Sequence, residues 1–365
     1  MEPNANVEIS KTAGSHDGPI ETDAVIVGAG PVGLFQVFEL GLREISAHVV
    51  DALPFPGGQC VELYGDKPIY DIPAVPACTG RELTERLLQQ VKPFAPTLHL
   101  DQLVSQVAPR AQGRFDVRTR AGLHFDCGAI VLAAGVGAFV PRTLKVAGLE
   151  AFEGRQVFHR ADVPVEAIAG RRVLVAGATE AALGFANRLC EGASRGEPGA
   201  ASDIVLLHRR DAFDAADDTV AAFRAACGRG ALRFVAGQPV GLERDGERLA
   251  ALSVLDATGA TVSLPVDTVV VLQGLSPKLG PIAEWGLAME RRHVAVDTAT
   301  YRTSVPGLFA VGDVVHYPGK QRLILSGFHE ATLAAAGVAE HLRPGSGGPL
   351  EYTTSSPRIH ALLGV

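Results

Sequence analysis

The sequence predicts an α/β protein of two similar domains, the second inserted into the first. A strand–helix–strand succession occurs twice, at 23–28, 31–42 and 47–50 and again at 173–175, 181–189 and 204–207. Apolar runs bounded by glycine indicate the buried parallel strands of such units. After the second succession, residues 306–313 (PGLFAVGD) resemble a strand that returns to the first domain. One discontinuous domain carrying an insertion explains this order most simply.

Length and composition agree with this class. The chain has 365 residues, more than one hydrophobic core usually supports. Hydrophobic residues make up 47% and charged residues 20%, which excludes a disordered chain. The net charge of −7 argues against a nucleic-acid or membrane surface as the general partner. No apolar run is long enough to predict a membrane span.

The elements between the two units follow from local pattern. Residues 80–91 place four apolar side chains on one face of a helix, with charges opposite. Residues 115–132 alternate around Ala121-Gly122 and predict an antiparallel hairpin. Residues 191–202 are rich in Gly, Ala, Ser and Pro and predict a surface loop, and residues 266–274 close the second unit.

The five cysteines indicate a reduced protein. They stand at 60, 78, 127, 190 and 227, with no C-x-x-C pair and no Cys/His cluster that would bind a metal. An odd, widely spaced set favours free thiols and a cytoplasmic location. Residues 1–21 are polar, without the apolar centre of a signal peptide, and predict a flexible tail.

The first strand–helix junction carries a dinucleotide-binding fingerprint, Gly28-Ala-Gly30-Pro31-Val-Gly33. The first glycine permits a tight turn, the second lets the backbone approach a pyrophosphate, and the third lets helix and strand pack closely. The pyrophosphate then lies at the positive end of the helix. Asp51, at the end of the next strand, is placed to accept a hydrogen bond from a ribose. An ordinary glycine turn without a ligand is the alternative.

The order GAGPVG…VVDALPFPGGQ…LYGDKPIYD…VLAAG…PGLFAVGD resembles the flavoproteins of the thioredoxin reductase type. The resemblance implies two Rossmann-like, three-layer β/β/α dinucleotide-binding domains, the second inserted into the first. It also implies FAD in the first domain, with Asp313 near the ribitol and phosphate of the cofactor.

Thiol chemistry is not expected. Thioredoxin reductases carry a C-x-x-C before the second fingerprint, and residues 152–162 contain no cysteine. Glutathione-reductase-type enzymes carry two cysteines after the first Gly-Gly; Cys60 matches the first position, but Gly65 occupies the second. We therefore interpret Cys60 as a small packed residue.

Four further segments are similar to ferredoxin–NADP reductases of the thioredoxin-reductase-like type: 59–71 (QCVELYGDKPIYD), 135–141 (GVGAFVP), 317–331 (YPGKQRLILSGFHEA) and 352–357 (YTTSSP). In that subfamily one aromatic ring stacks on each flavin face, and Tyr64 and Tyr352 match these positions. The other positions that match FAD contacts are Gly58, Gln59, Val104, Phe139, Asp313, Thr353 and Thr354. The resemblance also implies a homodimer.

These assignments divide the chain into four parts. Residues 1–21 form the tail, 22–150 and 288–344 the FAD-binding domain, 151–287 an NADPH-binding-like domain, and 345–365 a C-terminal extension that covers the flavin.

The second fingerprint is degenerate. Residues 176–181 read Ala-Gly-Ala-Thr-Glu-Ala, which we interpret as alanine at both motif glycines, Ala176 and Ala178, with Gly177 between them. A Cβ at these positions strains the turn and obstructs the pyrophosphate. Gly177, Ala178 and Thr179 remain the candidate backbone contacts for NADPH.

Recognition of the 2′-phosphate of NADPH is expected from Arg209 and Arg210, which match the His-Arg-Arg of the subfamily. Arginine pairs with a phosphate through forked hydrogen bonds. The subfamily has a further arginine after the next phenylalanine, where this chain has Asp214. A solvated strand end is the alternative for the two arginines.

The leading hypothesis is an FAD-dependent oxidoreductase that passes electrons between NADPH and ferredoxin or flavodoxin, with hydride transfer to flavin N5. Two alternatives remain open: a flavoprotein that takes its electrons from another donor, and a non-catalytic FAD-binding redox sensor. An acidic carrier would need a local basic patch. The candidates for that patch are Arg142, Lys145, Arg155, Arg160, Lys320 and Arg322.

Overall fold

The computed structural model describes residues 7–10, 18–256, 258–345 and 352–363. The chain forms two compact units. The first comprises residues 1–139 and 277–365, and the second, inserted between them, comprises 140–276. Each unit is an α/β domain with its own sheet and its own hydrophobic cores.

The first unit begins with these elements: β1 (Glu8–Ser10), β2 (Ile20–Val27), α1 (Pro31–Gly41), β3 (Ala47–Val50), α2 (Gln59–Glu62), β4 (Pro68–Ile69), β5 (Cys78–Thr79), α3 (Gly80–Val91), β6 (Thr97–His99), β7 (Val104–Pro109), β8 (Phe115–Thr119) and β9 (His124–Leu132). The chain crosses to the second unit through β10 (Ala138–Pro141).

The second unit contains these elements: β11 (Val157–Phe158), β12 (Arg172–Ala176), α4 (Glu180–Ser194), β13 (Asp203–His208), α5 (Asp217–Gly228), β14 (Arg233–Asp245), β15 (Arg248–Asp256), β16 (Thr261–Pro265) and β17 (Thr268–Val271). The chain crosses back through β18 (Leu275–Lys278). The first unit then ends with β19 (Met289–Glu290), β20 (His293–Ala295), β21 (Leu308–Ala310), β22 (Val315–His316), α6 (Ile324–Leu342) and α7 (Pro357–Leu363).

The sheet of the first unit has the strand order β1-β6-β3-β2-β9-β8-β7, and β21 also pairs with β9. Strands β1, β6, β3, β2, β9 and β21 are parallel, whereas β7 and β8 form an antiparallel meander with β9. The sheet of the second unit repeats this plan in the order β11-β17-β12-β13-β14-β15-β16. There, β15 and β16 supply the antiparallel meander.

Strand β2 shows why the predicted strands are apolar throughout. Ala24 and Ile26 belong to the core on the helix side, with residues of α1, α3 and α6, whereas Val25 and Val27 belong to a second core that includes Val117 of β8. Successive side chains of a strand point to opposite faces, so a strand covered on both faces has no polar side. The helix layer, parallel sheet and meander are the three predicted layers.

Several predicted elements are confirmed. Helix α3 spans 80–91 as predicted, and Thr79 and Glu82 close a capping box at its start. Strands β8 and β9 form the predicted hairpin around Ala121-Gly122. Helix α4 is longer than predicted and extends to Ser194, so the surface loop begins after that residue.

Three predicted boundaries differ from the structure: the end of the tail and both unit boundaries. Part of the supposed tail is ordered, because β1 pairs in parallel with β6 and β2 begins at Ile20. The unit boundaries fall at 139/140 and 276/277 instead of 150/151 and 287/288. Leu144 and Leu149 pack into the second unit's core, whereas Ile282 and Leu287 pack into the first unit's, so burial decides both boundaries.

Candidate functional site

A cleft of about 1100 Å³, counting the space open to solvent, lies at the carboxyl ends of the parallel strands in the first unit. Open α/β sheets bind their ligands at this edge. Nine of the predicted FAD positions line it: Gly28, Gly30, Pro31, Asp51, Gly58, Gln59, Tyr64, Val104 and Asp313. These residues come from five separate segments of the chain, and the fold brings them to one place.

The turn from β2 to α1 has glycine where the backbone requires it. Gly28 has a φ of +115°, and a Cβ on it would lie 2.4 Å from the carbonyl oxygen of Ala133. A Cβ on Gly33 would lie 1.9 Å from the carbonyl oxygen of Gly28. These two glycines therefore allow strand and helix to pack closely.

Gly30 differs, because nothing lies within 4 Å of the position that its Cβ would take. Gly30 is also the N-cap of α1, and no side chain caps this helix. The first N–H groups of a helix need partners and carry partial positive charge. The open space in front of them fits a pyrophosphate.

Asp51 is held rigidly beside this turn. Its Oδ2 accepts a hydrogen bond from the Ala29 N–H at 2.5 Å, and its Oδ1 accepts one from the Leu53 N–H at 2.7 Å. Burial raises the pKa of Asp51, and these two N–H groups oppose that rise. The carboxylate is therefore fixed at the cleft wall, as hydrogen bonding to a ribose requires.

Tyr64, the predicted stacking residue, lines the cleft beside Cys60. The Tyr64 hydroxyl lies 3.2 Å from the Cys60 Sγ. Burial raises the pKa of both groups, so both keep their protons at neutral pH. Cys60 is 3% exposed and its thiol is not activated, as expected for a packed residue.

Asp313 stands on a turn that a buried ionic cluster holds in place. Glu330 of α6 accepts hydrogen bonds from the Gly312 N–H and the Tyr317 hydroxyl, each at 2.6 Å, and from the Lys320 ammonium. The side chains of Lys320 and Glu330 are 2% and 0% exposed. The cluster fixes the loop from which Asp313 reaches the Gln59 amide, 3.2 Å away.

Gly33 packs behind the turn and does not line the cleft, and neither do three predicted positions of the C-terminal extension. Tyr352 is 72% exposed, and Thr353 and Thr354 are also exposed. Helix α7 continues this segment and packs elsewhere on the first unit, where the Arg358 guanidinium donates to the Leu42 carbonyl oxygen at 2.5 Å. The side chain of Phe139 lies outside what the structure describes.

The structure adds cleft residues that the sequence did not single out. Gln102, Leu279, Ile282 and Trp285 line the cleft, and the buried indole N–H of Trp285 has no hydrogen-bond partner among the described residues. Trp285 is the one tryptophan of the sequence, which is the only local signal that could have pointed to this segment. The orphaned donor and the open space at Gly30 both fit a bound FAD.

The second unit repeats the first turn, but its motif positions begin one residue later than the sequence suggested. Gly177 has a φ of +154°, and a Cβ on it would lie 2.3 Å from the carbonyl oxygen of Leu272. Its N–H donates to the Leu207 carbonyl oxygen at 3.1 Å, as the Gly28 N–H donates to that of Val50 at 2.8 Å. Gly177 is therefore the first motif glycine, and the interpretation of Ala176 and Ala178 as replaced glycines was wrong.

In this frame Thr179 replaces the second glycine and Ala182 the third. Thr179 is the N-cap of α4, with nearly the backbone angles of Gly30. Its hydroxyl accepts from the Ala182 N–H at 3.3 Å and donates to the Leu272 carbonyl oxygen at 2.9 Å. The second helix thus carries its own cap where the first is open.

Glu180 is turned toward α5. Its carboxylate accepts hydrogen bonds from the Ala216 N–H at 2.8 Å and from the Thr219 hydroxyl at 2.6 Å. The Asp214 N–H donates to the Ala178 carbonyl oxygen at 2.7 Å, as the Gly57 N–H does to that of Ala29 at 2.8 Å. Both acidic residues thus help to build the turn.

His208 occupies the place that Asp51 has in the first unit, because Leu207 pairs with Ala176 as Val50 pairs with Val27. Arg209 and Arg210 follow it and are exposed. Neither forms an ion pair with a carboxylate in the described part of the chain. Burial, and then the two guanidinium groups, lower the pKa of His208.

The residues of the predicted basic patch are divided between the two units, and one of them is buried. Lys320 is buried against Glu330, so it is not a surface cation. Arg142, Lys145, Arg155 and Arg160 belong to the second unit, and Arg160 pairs with Asp162 at 3.1 Å. Arg322 lines the cleft and is exposed.

Across the described ranges, no helix is long and apolar enough to cross a membrane. No group of three metal-ligating side chains converges among those residues.

Comparison with known proteins identifies relatives along the whole chain. The pyridine nucleotide-disulphide oxidoreductase family matches residues 22–337. A ferredoxin–NADP reductase of Methylibium petroleiphilum is 52% identical over 365 residues, covering 100% of this chain and 98% of that protein. A ferredoxin–NADP reductase 2 of Cupriavidus metallidurans is 52% identical over 365 residues, covering 100% and 97%.

Solved structures share the fold at low sequence identity. Thioredoxin reductase of Lactococcus lactis is 21% identical, with a TM-score of 0.53 and coverage of 88% of this chain and 99% of that one. A bacillithiol disulfide reductase of Staphylococcus aureus is 15% identical, with a TM-score of 0.54 and coverage of 87% and 98%. From its relatives at 52% identity over full length, this chain belongs to the ferredoxin–NADP reductases of the pyridine nucleotide-disulphide oxidoreductase family.

Proposed function

We propose that this protein is an FAD-dependent ferredoxin–NADP reductase, which passes electrons between NADPH and ferredoxin. The observation that carries the proposal is the cleft of the first unit, in which the uncapped α1, Asp51 and Tyr64 converge in a chain whose full-length relatives bear this name. Bound FAD would supply the exchange of a hydride on one side and of single electrons on the other.

The residues of the first unit divide the work of holding FAD. The N–H groups at the start of α1, with Gly30 leaving them open, bind the pyrophosphate. Asp51 accepts a hydrogen bond from the adenosine ribose, and Gln59 and Asp313 contact the ribitol side. Gly58 and Val104 border the cofactor, and Phe139 is proposed to contact it as well.

Tyr64 covers one face of the flavin. Its ring adds apolar area and stacking, and it keeps water from that face. The contact of the hydroxyl with Cys60 holds the end of the side chain in place. Since burial raises the Tyr64 pKa, the phenol stays neutral and adds no charge beside the cofactor.

NADPH is proposed to bind to the second unit, at the turn formed by Gly177, Ala178 and Thr179. Arg209 and Arg210 are exposed and free of carboxylate partners among the described residues, so both are available to the 2′-phosphate.

Thr179 favours a second candidate, a flavoprotein of the same fold whose electrons come from a donor other than NADPH. The cap of Thr179 competes for the N–H groups that a pyrophosphate would use.

We further propose a homodimer in which Tyr352, Thr353 and Thr354 reach the flavin of a second copy. All three are exposed and lie outside the cleft of their own chain, so the second flavin face needs another cover.

The five cysteines are free thiols, which fits a reducing compartment such as the cytoplasm. Flavodoxin is a second carrier to test.

The decisive experiment follows the visible absorbance of the purified yellow protein under anaerobic conditions. Rapid bleaching by NADPH, with slower bleaching by NADH, is the expected result. A flavin that stays oxidised with both nucleotides but bleaches with reduced ferredoxin would replace the proposal with the second candidate. A protein purified without flavin, and unable to bind added FAD, would overturn both.

The dimer is tested separately. Sedimentation should give twice the chain mass of 38.2 kDa. Tyr352→Ala should increase turnover with small dyes, because one flavin face becomes open. A dimer with unchanged dye turnover in this variant would contradict the role of Tyr352.

A further inference from the structure

The hairpin between β19 and β20 has an unusual turn. Its two central residues are Arg291 and Arg292, with φ angles of +48° and +70°. Met289 pairs with Val294 and Glu290 with His293, so the loop has two residues. Positive φ at both central positions defines the type I′ turn, for which Asn-Gly is the preferred sequence. Two arginines here oppose the local conformational preference, and such conflicts concentrate at functional sites.

A hydrogen bond links this turn to the edge of the cleft. The Arg322 Nη2 donates to the His293 Nε2 at 2.7 Å. The His293 Nδ1 lies 2.9 Å from the carbonyl oxygen of Arg291. His293 therefore carries its proton on Nδ1, donates to the turn and accepts from Arg322, which itself lines the cleft.

The guanidinium groups of this surface have no carboxylate partner among the described residues. Arg291, Arg292 and Arg322 are exposed, and none pairs with a carboxylate among the residues that the structure covers. The nearest acid of the hairpin, Glu290, lies 3.6 Å from His316 instead. In a protein of net charge −7, three guanidinium groups without carboxylate partners, linked through His293, are a local reversal of sign.

Apolar side chains accompany these cations. Leu323, which also lines the cleft, is 45% exposed, and Leu325 is 44% exposed. Protein interfaces combine apolar residues and arginine at their centre. The guanidinium groups of the turn lie open to solvent on a hairpin, which suits the spread carboxylates of another protein better than a single phosphate.

We propose that Arg291, Arg292 and Arg322, with Leu323 beside them, form the docking surface for ferredoxin, an acidic one-electron carrier. The inference rests on the proposed function and adds the surface where the partner binds. Complementary charge would orient the carrier, and contact with Arg322 and Leu323 would bring it to the wall of the flavin cleft. The sequence-based candidates for this patch shared one residue with it, Arg322.

The test removes the two turn charges without harming the fold. Arg291→Asn/Arg292→Gly installs the sequence that the turn prefers, so the melting temperature should stay equal or rise. The dissociation constant for oxidised ferredoxin, measured by calorimetry at low ionic strength, should increase about tenfold. The matched control, Arg188→Gln/Arg229→Gln, removes two exposed charges from the second unit and should leave the constant unchanged.

One further measurement separates this proposal from the function it rests on. NADPH-driven reduction of ferricyanide should stay within twofold of the parent, because that small acceptor needs no docking surface. Ferredoxin binding is measured without turnover, so failure of NADPH to reduce the flavin would overturn the proposed function and leave the docking test valid. Unchanged ferredoxin affinity in the Asn-Gly variant, or equal losses in the control, would overturn the docking surface.

Discussion

The two strand–helix turns of this chain have similar backbone conformations but differ at the start of the helix, which is uncapped in the first unit and capped by a side chain in the second. Gly28 and Gly177 occupy the same place in each turn, with positive φ and a carbonyl oxygen where a Cβ would lie. Two residues later, Gly30 leaves its helix open, whereas the Thr179 hydroxyl caps the other. The first motif glycine is therefore required for packing in both units. The residue two positions later, Gly30 or Thr179, decides how freely a phosphate can approach the helix.

The next strand in each unit shows a second divergence. Asp51 stands where the first strand pair ends and is held by two backbone N–H groups. His208 stands at the same place in the second unit, followed by Arg209 and Arg210. A fixed carboxylate suits a ribose hydroxyl, and arginines suit a ribose that carries a phosphate. The second unit thus relies more on side-chain charge than on its helix terminus.

The largest effect is expected when the second turn is copied into the first. Gly30→Thr would place a hydroxyl cap on α1 and fill the open space beside it. Losing two hydrogen bonds to a charged pyrophosphate should weaken FAD binding about 100-fold, so the protein should purify largely colourless. FAD affinity is measured by fluorescence titration of the apoprotein. Gly18→Thr, at another open glycine position outside the cleft, is the control, and full flavin content in Gly30→Thr would remove the basis of the comparison.

The arginines should give the next largest effect. Arg209→Ala or Arg210→Ala should each raise the KM for NADPH about tenfold, by removing one charge-assisted hydrogen bond to the 2′-phosphate. The KM for NADH should not change, since NADH lacks that phosphate. Arg229→Ala, at an exposed arginine after α5, is the matched control. Equal losses with both nucleotides would show that the arginines act on the structure of the turn instead.

The frame of the second fingerprint shows where sequence reasoning reached its limit. The β-α-β order, the insertion, the first fingerprint and Asp51 followed from glycine spacing and strand pattern. The other cleft positions, Gly58, Gln59, Tyr64, Val104 and Asp313, were predicted only from the resemblance to known flavoproteins. The identity of the motif glycine in the second unit did not, because it depends on where β12 ends. Only the hydrogen bond from the Gly177 N–H to Leu207 and the φ of Gly177 fix that point.

Other features depend on contacts between distant segments. The burial of Lys320 against Glu330 arises because α6 passes beneath the turn at Gly312, and no local pattern announces a buried lysine. The link between Arg322 and His293 likewise joins the segment before α6 to strand β20, which are distant in sequence. The sequence alone does not distinguish these two cations. In the structure, Lys320 is buried and stabilises the turn at Gly312, whereas Arg322 lines the cleft.

Opening the second turn should have a moderate effect in the opposite direction. Thr179→Gly would free the first N–H groups of α4 for the pyrophosphate and lower the KM for NADPH roughly fivefold, about 1 kcal/mol. Loss of the cap should lower the free energy of unfolding by roughly a few tenths of a kcal/mol, since glycine is tolerated at an N-cap. Steady-state kinetics with ferricyanide and urea unfolding measure the two effects. An unchanged KM would mean that Thr179 does not compete with the nucleotide.

His208 should make the stability of the second unit depend on pH. Its pKa is lowered by burial and by the two arginines, so the unfolded chain binds a proton that the folded unit does not. Its contribution to stability is present above its ordinary pKa of 6.5 and is lost as the pH falls through the lower, folded value. His208→Gln should therefore reduce the loss of unfolding free energy between pH 7.5 and 5.5, measured by urea unfolding at the two pH values. Identical urea midpoint shifts in parent and variant would contradict this assignment.

The smallest effect is expected at Asp214, whose backbone N–H builds the second turn as that of Gly57 builds the first. Asp214→Asn keeps this hydrogen bond and removes a negative charge from the turn proposed to receive a pyrophosphate. The KM for NADPH should fall about twofold at low ionic strength, and the difference should vanish in 0.5 M salt because of screening (Debye length about 4 Å). Asp218→Asn, an exposed acid in the first turn of α5, controls for net charge. A salt-independent gain would indicate that the variant acts through the geometry of the turn and that charge has no part in it.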